Sequence, residues 1–257
     1  MSSGRVQRAA RYLVGLRRPG PRPKSLPADL APQSELEAYQ MQAAVASALG
    51  AQLGCWKVAM NDVHSGTCAP VFATAVYRTG AHLHTSISKA LGIEPEVAFT
   101  LKRSLPPLPA GQHYGREQVI DAIGAAHAAI EIVISRFQSH EGAAPMDRLA
   151  DSLSNEGLVL GPACEAWREL DLGALPLHLT IDTGNDEVSV YDARGGHPLN
   201  DPLIPLIWLA NHCSASGSGM QSGNVVTTGS YAGLRYAGRG AHVKVQFEGL
   251  GAAELYS

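Results

Sequence analysis

The chain has 257 residues, 45% of them apolar, enough for one large domain with a small attachment. A formal charge of −3, from 20 basic and 23 acidic side chains, and a pI near 6.4 give no electrostatic reason to expect nucleic acid or an anionic membrane as partner. No apolar run reaches the roughly 18 to 20 residues that span a bilayer, and four scattered cysteines without a C-x-x-C pair speak against a zinc knuckle or a disulfide framework, so a reducing cytoplasm is expected.

The start is basic, with Arg5, Arg8, Arg11, Arg17 and Arg18, yet Val6, Ala9, Ala10, Leu13 and Leu16 fit one face of an amphipathic helix over residues 1–17. The continuous apolar segment and cleavage site of a signal peptide are not evident; an organelle transit peptide is the alternative. Pro19, Pro21 and Pro23 end this helix, and residues 17–32 are the sole linker candidate. Ser34 and Glu37 have the spacing of a capping box, opening a second helix that Gly50 closes. Residues 1–50 therefore read as a helical appendage, and residues 51–257 as a strand-rich body.

Cys55 to Met60 reads as a strand in which Lys57 either snorkels outward or faces an acidic cluster, where a partly desolvated ammonium can trade a proton. In Ile93 to Leu101, alternation puts Glu94, Glu96, Ala98 and Thr100 on one side of a strand and the apolar Val97, Phe99 and Leu101 on the other. Such an acid pair can be a solvated face. Held together on a rigid strand, the two charges instead need a cation between them. Glu131 is the only charge in the apolar run Ala129 to Ile134, and a buried carboxylate needs a partner. Three oxygen donors without a nearby His or Cys favour Mg²⁺, Mn²⁺ or Ca²⁺ over zinc.

Further along, Arg116 to about Ala128 is Ala-rich and reads as a helix leading into the Glu131 strand. Leu149 to Gly157 has a loop-like polar centre, and Leu158 to Pro162 a short buried strand. Leu177, Leu179 and Ile181, then Val188 and Val190, alternate around the Thr183-Gly184-Asn185-Asp186 turn as a hairpin. Gly195 to Asn200 opens a helix that is apolar through Leu209. Val225 to Gly229 is a strand ending in hydroxyls, and two strands flank the turn at Glu248 to Gly251. The body is α+β.

Taken in order, Ala38-Tyr39-Gln40, Gly54 to Val58, Ile93 to Leu101, Ile130 to Val133, Ala150-Asp151 through Gly161-Pro162, Gly196 to Asn200, Thr227-Thr228-Gly229 and Phe247 to Gly251 resemble the fumarylacetoacetate hydrolase superfamily, in its 2-keto-4-pentenoate hydratase branch. The resemblance covers roughly residues 34 to 257. It implies a mixed β-sandwich or roll with peripheral helices around one Mg²⁺ or Mn²⁺. Glu94, Glu96 and Glu131 fall on its metal-ligand positions, Lys57 on its catalytic lysine, and Ser154 and Thr228 on substrate-contacting positions. Two departures stand out: Val71 sits where an Asp is expected after Pro70, and Ala73 replaces a glycine. His64 could substitute for the acid or be a plain loop histidine; His197 reads as a packing residue.

The function so implied is hydration of a 2-hydroxy-2,4-dienoate to a 4-hydroxy-2-oxo acid in aromatic-compound degradation, by a homo-oligomer acting on a small 2-oxo or 2-hydroxydienoic acid. Two alternatives use the same metal site: decarboxylation of a 2-oxo-3-enedioate and hydrolysis of an acylpyruvate. A third, motivated by Val71, is a catalytically weak partner subunit.

Overall fold

A computed structural model describes residues 4–83, 90–184 and 188–257, so the predicted turn residues Asn185 and Asp186 fall outside the described part. Two helices, α1 (Gly4–Gly15) and α2 (Glu35–Leu49), precede strands β1 (Leu53–Met60), β2 (Gly66–Phe72), β3 (Val76–Arg78), β4 (Ala81–His82) and β5 (Leu91–Leu101). Helix α3 (Arg116–Ala122) leads into β6 (Ile123–Val133), and α4 (Pro145–Ala150) into β7 (Asn155–Leu160). The hairpin of β8 (Pro176–Asp182) and β9 (Val188–Arg194) is followed by α5 (Leu203–Ala215), β10 (Val225–Ser230), β11 (Arg235–Ala237), β12 (His242–Phe247) and β13 (Gly251–Tyr256).

The larger sheet runs β2-β1-β10-β5-β6-β7-β3 with β11 beside β5, and the smaller runs β4-β13-β12-β8-β9. Alternation decides what lies between them. Ile93, Val97 and Phe99 of β5 and Ile130 and Ile132 of β6 share one core with Leu177, Leu179, Val243, Val245 and Phe247 of the smaller sheet. The opposite face of the larger sheet carries small apolar residues, Cys55, Val71, Ala98 and Ala129, and, further along the same strands, the three acids and Lys57. The chain is thus an α+β sandwich with helices at its periphery.

The N-terminal helices pack on each other and on Phe137, Leu149 and Ala150. Ser34 caps α2 by accepting from the Glu37 amide, and Gly50 closes it at φ 60°. Glu37 does not complete the capping box; its carboxylate takes the Gln33 amide and the Arg5 guanidinium instead. The stretch between the helices is docked along its length, since Leu26 and Leu30 are buried and the Leu26 amide donates to Asp147.

One helix prediction fails. Helix α3 stops at Ala122, and Gly124 to Ala128 is strand, with Ala125 to Ala128 paired residue for residue with Thr100 to Val97 of β5 and Gly124 at a register shift. Alanine is the best helix former, but propensity is a weak determinant; here its small side chain fits a strand buried on both faces, and tertiary pairing overrides the propensity.

Candidate active site

Strand register assembles the acids. In the β5/β6 pair Glu94 lies directly opposite Glu131, and Glu96 stands two residues along on the same face. Like charges so placed repel. Carboxylate oxygens of all three lie within 4.8 Å of one another. Glu131 is 0% exposed and Glu96 2%. Burial above all, and then the neighbouring carboxylates, push both pKa values above the ordinary glutamate value, with Lys57 pulling the other way.

Lys57 comes from β1, whose parallel pairing with β10 sets it opposite Thr227. Its Nζ lies 2.7 Å from Glu131 Oε1 and 3.5 Å from Glu94 Oε2, so the residue faces the acids and does not snorkel outward. Burial pulls the ammonium towards neutrality, but Glu131, Glu94 and Glu96 outweigh it and raise its pKa. One cation thus faces three acids. Asn155 Nδ2 donates to Glu131 Oε1 at 2.8 Å, while the buried Glu131 Oε2 has no hydrogen-bond partner. An unpaired buried carboxylate oxygen among like charges is what a hard dication would satisfy, so the donor set fits the expected Mg²⁺ or Mn²⁺.

A bulge in β10 completes the acid wall. Thr227 pairs with Ala98 but Ser230 with Glu96, so three steps on β10 match two on β5. The extra residue turns both the Thr227 hydroxyl and the Gly229 amide (2.9 Å) onto Glu96 Oε2. Gly229 has φ 119°, which a side chain would strain. Thr228 lines the cavity, but its hydroxyl proton goes to the Val97 carbonyl at 2.9 Å. His197 Nε2 donates to the Thr228 carbonyl, and its Nδ1 accepts from the Leu199 amide, so both ring nitrogens are engaged.

The opposite wall is strained. Ser152, Leu153 and Ser154 have φ values of 52°, 55° and 60°, three consecutive non-glycine residues in the left-handed region. Each costs on the order of 1 kcal/mol and persists only if its surroundings enforce it. Arg136, 1% exposed, supplies the enforcement: all five of its guanidinium hydrogens are used, on Asp151 Oδ1, the Ile134, Asp151 and Asn155 carbonyls, and Glu156. The turn places the Leu153 carbonyl 3.5 Å from Lys57 Nζ. Ser154 itself is fully buried with an unpartnered hydroxyl and lies behind the cavity surface, which Leu153 forms.

Between these walls lies a cavity of about 560 Å³, within the usual range for a small-molecule site. Met60, Leu149, Leu153, Pro198 and Leu199 give it an apolar side, and His140 and Arg148 also line it. Val71 is buried in the small-residue floor behind the acids and does not reach the cavity. His64 is an exposed turn residue away from it. Sequence reasoning missed His140, Thr227, Asn155 and Arg136. Arg136 carried a usable signal, a lone guanidinium between the Glu131 strand and Phe137; His140 carried none.

A model of the fumarylacetoacetate (FAA) hydrolase C-terminal region matches residues 49–255. The chain belongs to the fumarylacetoacetate hydrolase family. Within its reach, the chain is 30% identical over 160 residues to a 2-keto-4-pentenoate hydratase of Burkholderia vietnamiensis (strain G4 / LMG 22486), a match covering 62% of this chain and 58% of that protein. It is 28% identical over 201 residues to a 2-hydroxyhexa-2,4-dienoate hydratase of Comamonas testosteroni, 76% of this chain and 72% of that one. Among solved structures, a 4-oxalocrotonate decarboxylase from Pseudomonas putida G7, complexed with magnesium and adipate, superposes at a TM-score of 0.79 and 20% identity over 98% of this chain and 96% of its own. This last likeness establishes the shared fold of the family. Among the described residues no helix is long and apolar enough to cross a membrane, and the four cysteines are free.

Proposed function

We propose that this family member is a divalent-metal-dependent hydratase of 2-hydroxy-2,4-dienoates, with Glu94, Glu96 and Glu131 holding Mg²⁺ or Mn²⁺ and Lys57 as the adjoining catalytic amine. The observation that carries the reading is the three-carboxylate convergence, with Glu94 and Glu96 on the wall of a small-molecule cavity and an unpaired oxygen of the fully buried Glu131 within reach of both. The activities named for the Burkholderia and Comamonas relatives support the substrate class. When bound, such an ion polarises a chelated 2-oxo acid as a Lewis acid.

The protein's own groups do the rest. Lys57, held by Glu131 and Glu94, offers N–H donors beside the acids and is positioned to steady negative charge developing on the substrate's C2 oxygen. The apolar wall, Met60, Leu149, Leu153, Pro198 and Leu199, suits the diene and keeps bulk water from it. Thr228 can receive a substrate carboxylate by releasing its bond to the Val97 carbonyl. Ser154 supports the turn behind Leu153 and joins the substrate contacts only if that turn moves. Free cysteines suit a cytoplasmic enzyme, and a homo-oligomer is the expected state, checked by light scattering.

The test is loss of the ultraviolet absorbance of 2-hydroxypenta-2,4-dienoate with Mg²⁺ or Mn²⁺, beside a Glu96→Ala control. Metal-dependent conversion to 4-hydroxy-2-oxopentanoate, absent in the variant, is expected. Metal binding without turnover would sink the hydratase reading, and absence of metal binding would sink the site itself. Arg148 favours a second reading: it lines the cavity with no carboxylate partner among the described residues. A guanidinium there suits the distal carboxylate of a 2-oxo-3-enedioate, so decarboxylation of that substrate belongs in the same assay.

A further inference from the structure

Hydration moves protons as well as polarising a ketone, and the expected acid at position 71 is a buried valine. The cavity wall offers few replacements. His197 has both ring nitrogens committed to backbone partners. Arg148 does not release its proton, and Glu35 is an exposed residue of α2. His140 differs from all of these. It is partly buried and lines the cavity, and its Nδ1 is shut away from solvent with no hydrogen-bond partner among the described residues, which leaves Nε2 as the nitrogen to meet a ligand in the cavity. Among the described residues no neighbour bonded to Nδ1 fixes its tautomer.

We propose that His140 is the acid–base residue that carries the proton between water and substrate carbon. The role rests on the hydration reading above. The 2-hydroxydienoate first ketonises, its 2-hydroxyl proton leaving to solvent and C5 taking one from solvent. Water then adds to C4 of the resulting 2-oxo-3-enoate: a water O–H bond breaks, its oxygen forms the C4–O bond, and its proton passes to the His140 ring. The C3=C4 electron pair shifts towards the 2-oxo group. His140 then gives the proton to C3 as the ketone re-forms, so the imidazole returns to its neutral state and no co-reactant is consumed. The surroundings favour a neutral starting ring. Burial first, then Lys57 from β1 and Arg148 from α4, lower its pKa, outweighing Glu94 of β5 and the adjacent Glu141. A base neutral at pH 7 can accept a proton at once and is acidic enough, once charged, to return it.

The experiment compares wild type with His140→Asn and His140→Gln across pH 5 to 9, using 2-hydroxypenta-2,4-dienoate and Mn²⁺. Mn²⁺ binding is measured separately, and the His140 ring is titrated by NMR in the metal-free protein. The expected result is a kcat about 100-fold lower in both variants with KM within about threefold, an acid limb of the wild-type profile that disappears, and unchanged Mn²⁺ affinity. The NMR midpoint should lie below the ordinary histidine value of 6.5. Variants that keep kcat and the acid limb overturn the role, as does loss of Mn²⁺ binding in both, which would make His140 structural. A wild type that binds Mn²⁺ but leaves the dienoate untouched overturns the hydration reading and, distinguishably, this role with it.

Discussion

Among the described residues two buried ion clusters are joined by one residue, and they are built on opposite plans. Around Arg136 every donor is used and the charges of Asp151 and Glu156 are answered; Arg136 Nε meets Asp151 Oδ1 at 2.5 Å. Around Glu131 one lysine faces three carboxylates, and a buried oxygen is left over. Asn155 belongs to both, giving its side-chain amide to Glu131 and its carbonyl to Arg136. The lesson is a division of labour: a satisfied cluster fixes backbone geometry, and an unsatisfied one is held ready for something else to complete it.

The largest way to break that contrast is Arg136→Met. Removing one partner strands Asp151 as a buried, uncompensated acid and frees the left-handed turn. A loss of about 3–5 kcal/mol in urea unfolding is expected, with kcat falling as the Leu153 carbonyl leaves Lys57. A variant within about 0.5 kcal/mol of wild type would show that Arg136 clamps nothing.

Glu96→Gln probes the other cluster and should act in the opposite direction. It keeps an acceptor for Thr227 and Gly229 while deleting one of three like charges, so the metal-free protein should gain stability, on the order of 1 kcal/mol. The rise in Tm that wild type shows on adding Mn²⁺ should vanish. A less stable variant that still responds to Mn²⁺ would mean the acids are not a metal centre.

Much of this contrast was legible in the sequence, and the reason is periodicity. Two-residue alternation placed Glu94 and Glu96 on one face, and the isolation of Glu131 in an apolar run announced a buried charge. Both statements need only local chemistry. The hairpin of β8 and β9 and the capped end of α2 were readable for the same reason. What stayed hidden depends on register and long-range packing. The strand at Ala125 to Ala128 could not be told from helix because its evidence is the facing β5. The bulge that aims Thr227 and not Thr228 at Glu96 exists only in pairing with another strand. The left-handed turn at Ser152 to Ser154 runs against the residues' own preferences and is imposed from Arg136, sixteen residues before its start. His140 becomes meaningful only when a loop folds it over Lys57's cavity.

Between the two plans stands the pair of Arg5 and Glu37, which ties α1 to α2 with side chains 27% and 11% exposed. It separates completeness from full burial, because Glu37 is fully partnered while its partner Arg5 stays partly open to solvent. The Gln33 amide and then Arg5 hold its pKa below the ordinary value of 4.5. A depressed folded-state pKa contributes stability above the unfolded value, and that contribution is lost as pH falls below 4.5 and through the folded value. Glu37→Gln should therefore cost only about 1 kcal/mol at pH 7, far less than Arg136→Met. It should also flatten the acid side of the stability profile between pH 5 and 3. If instead its cost matched that of Arg136→Met, completeness of partnering alone would set the strength of a clamp, and burial would add nothing.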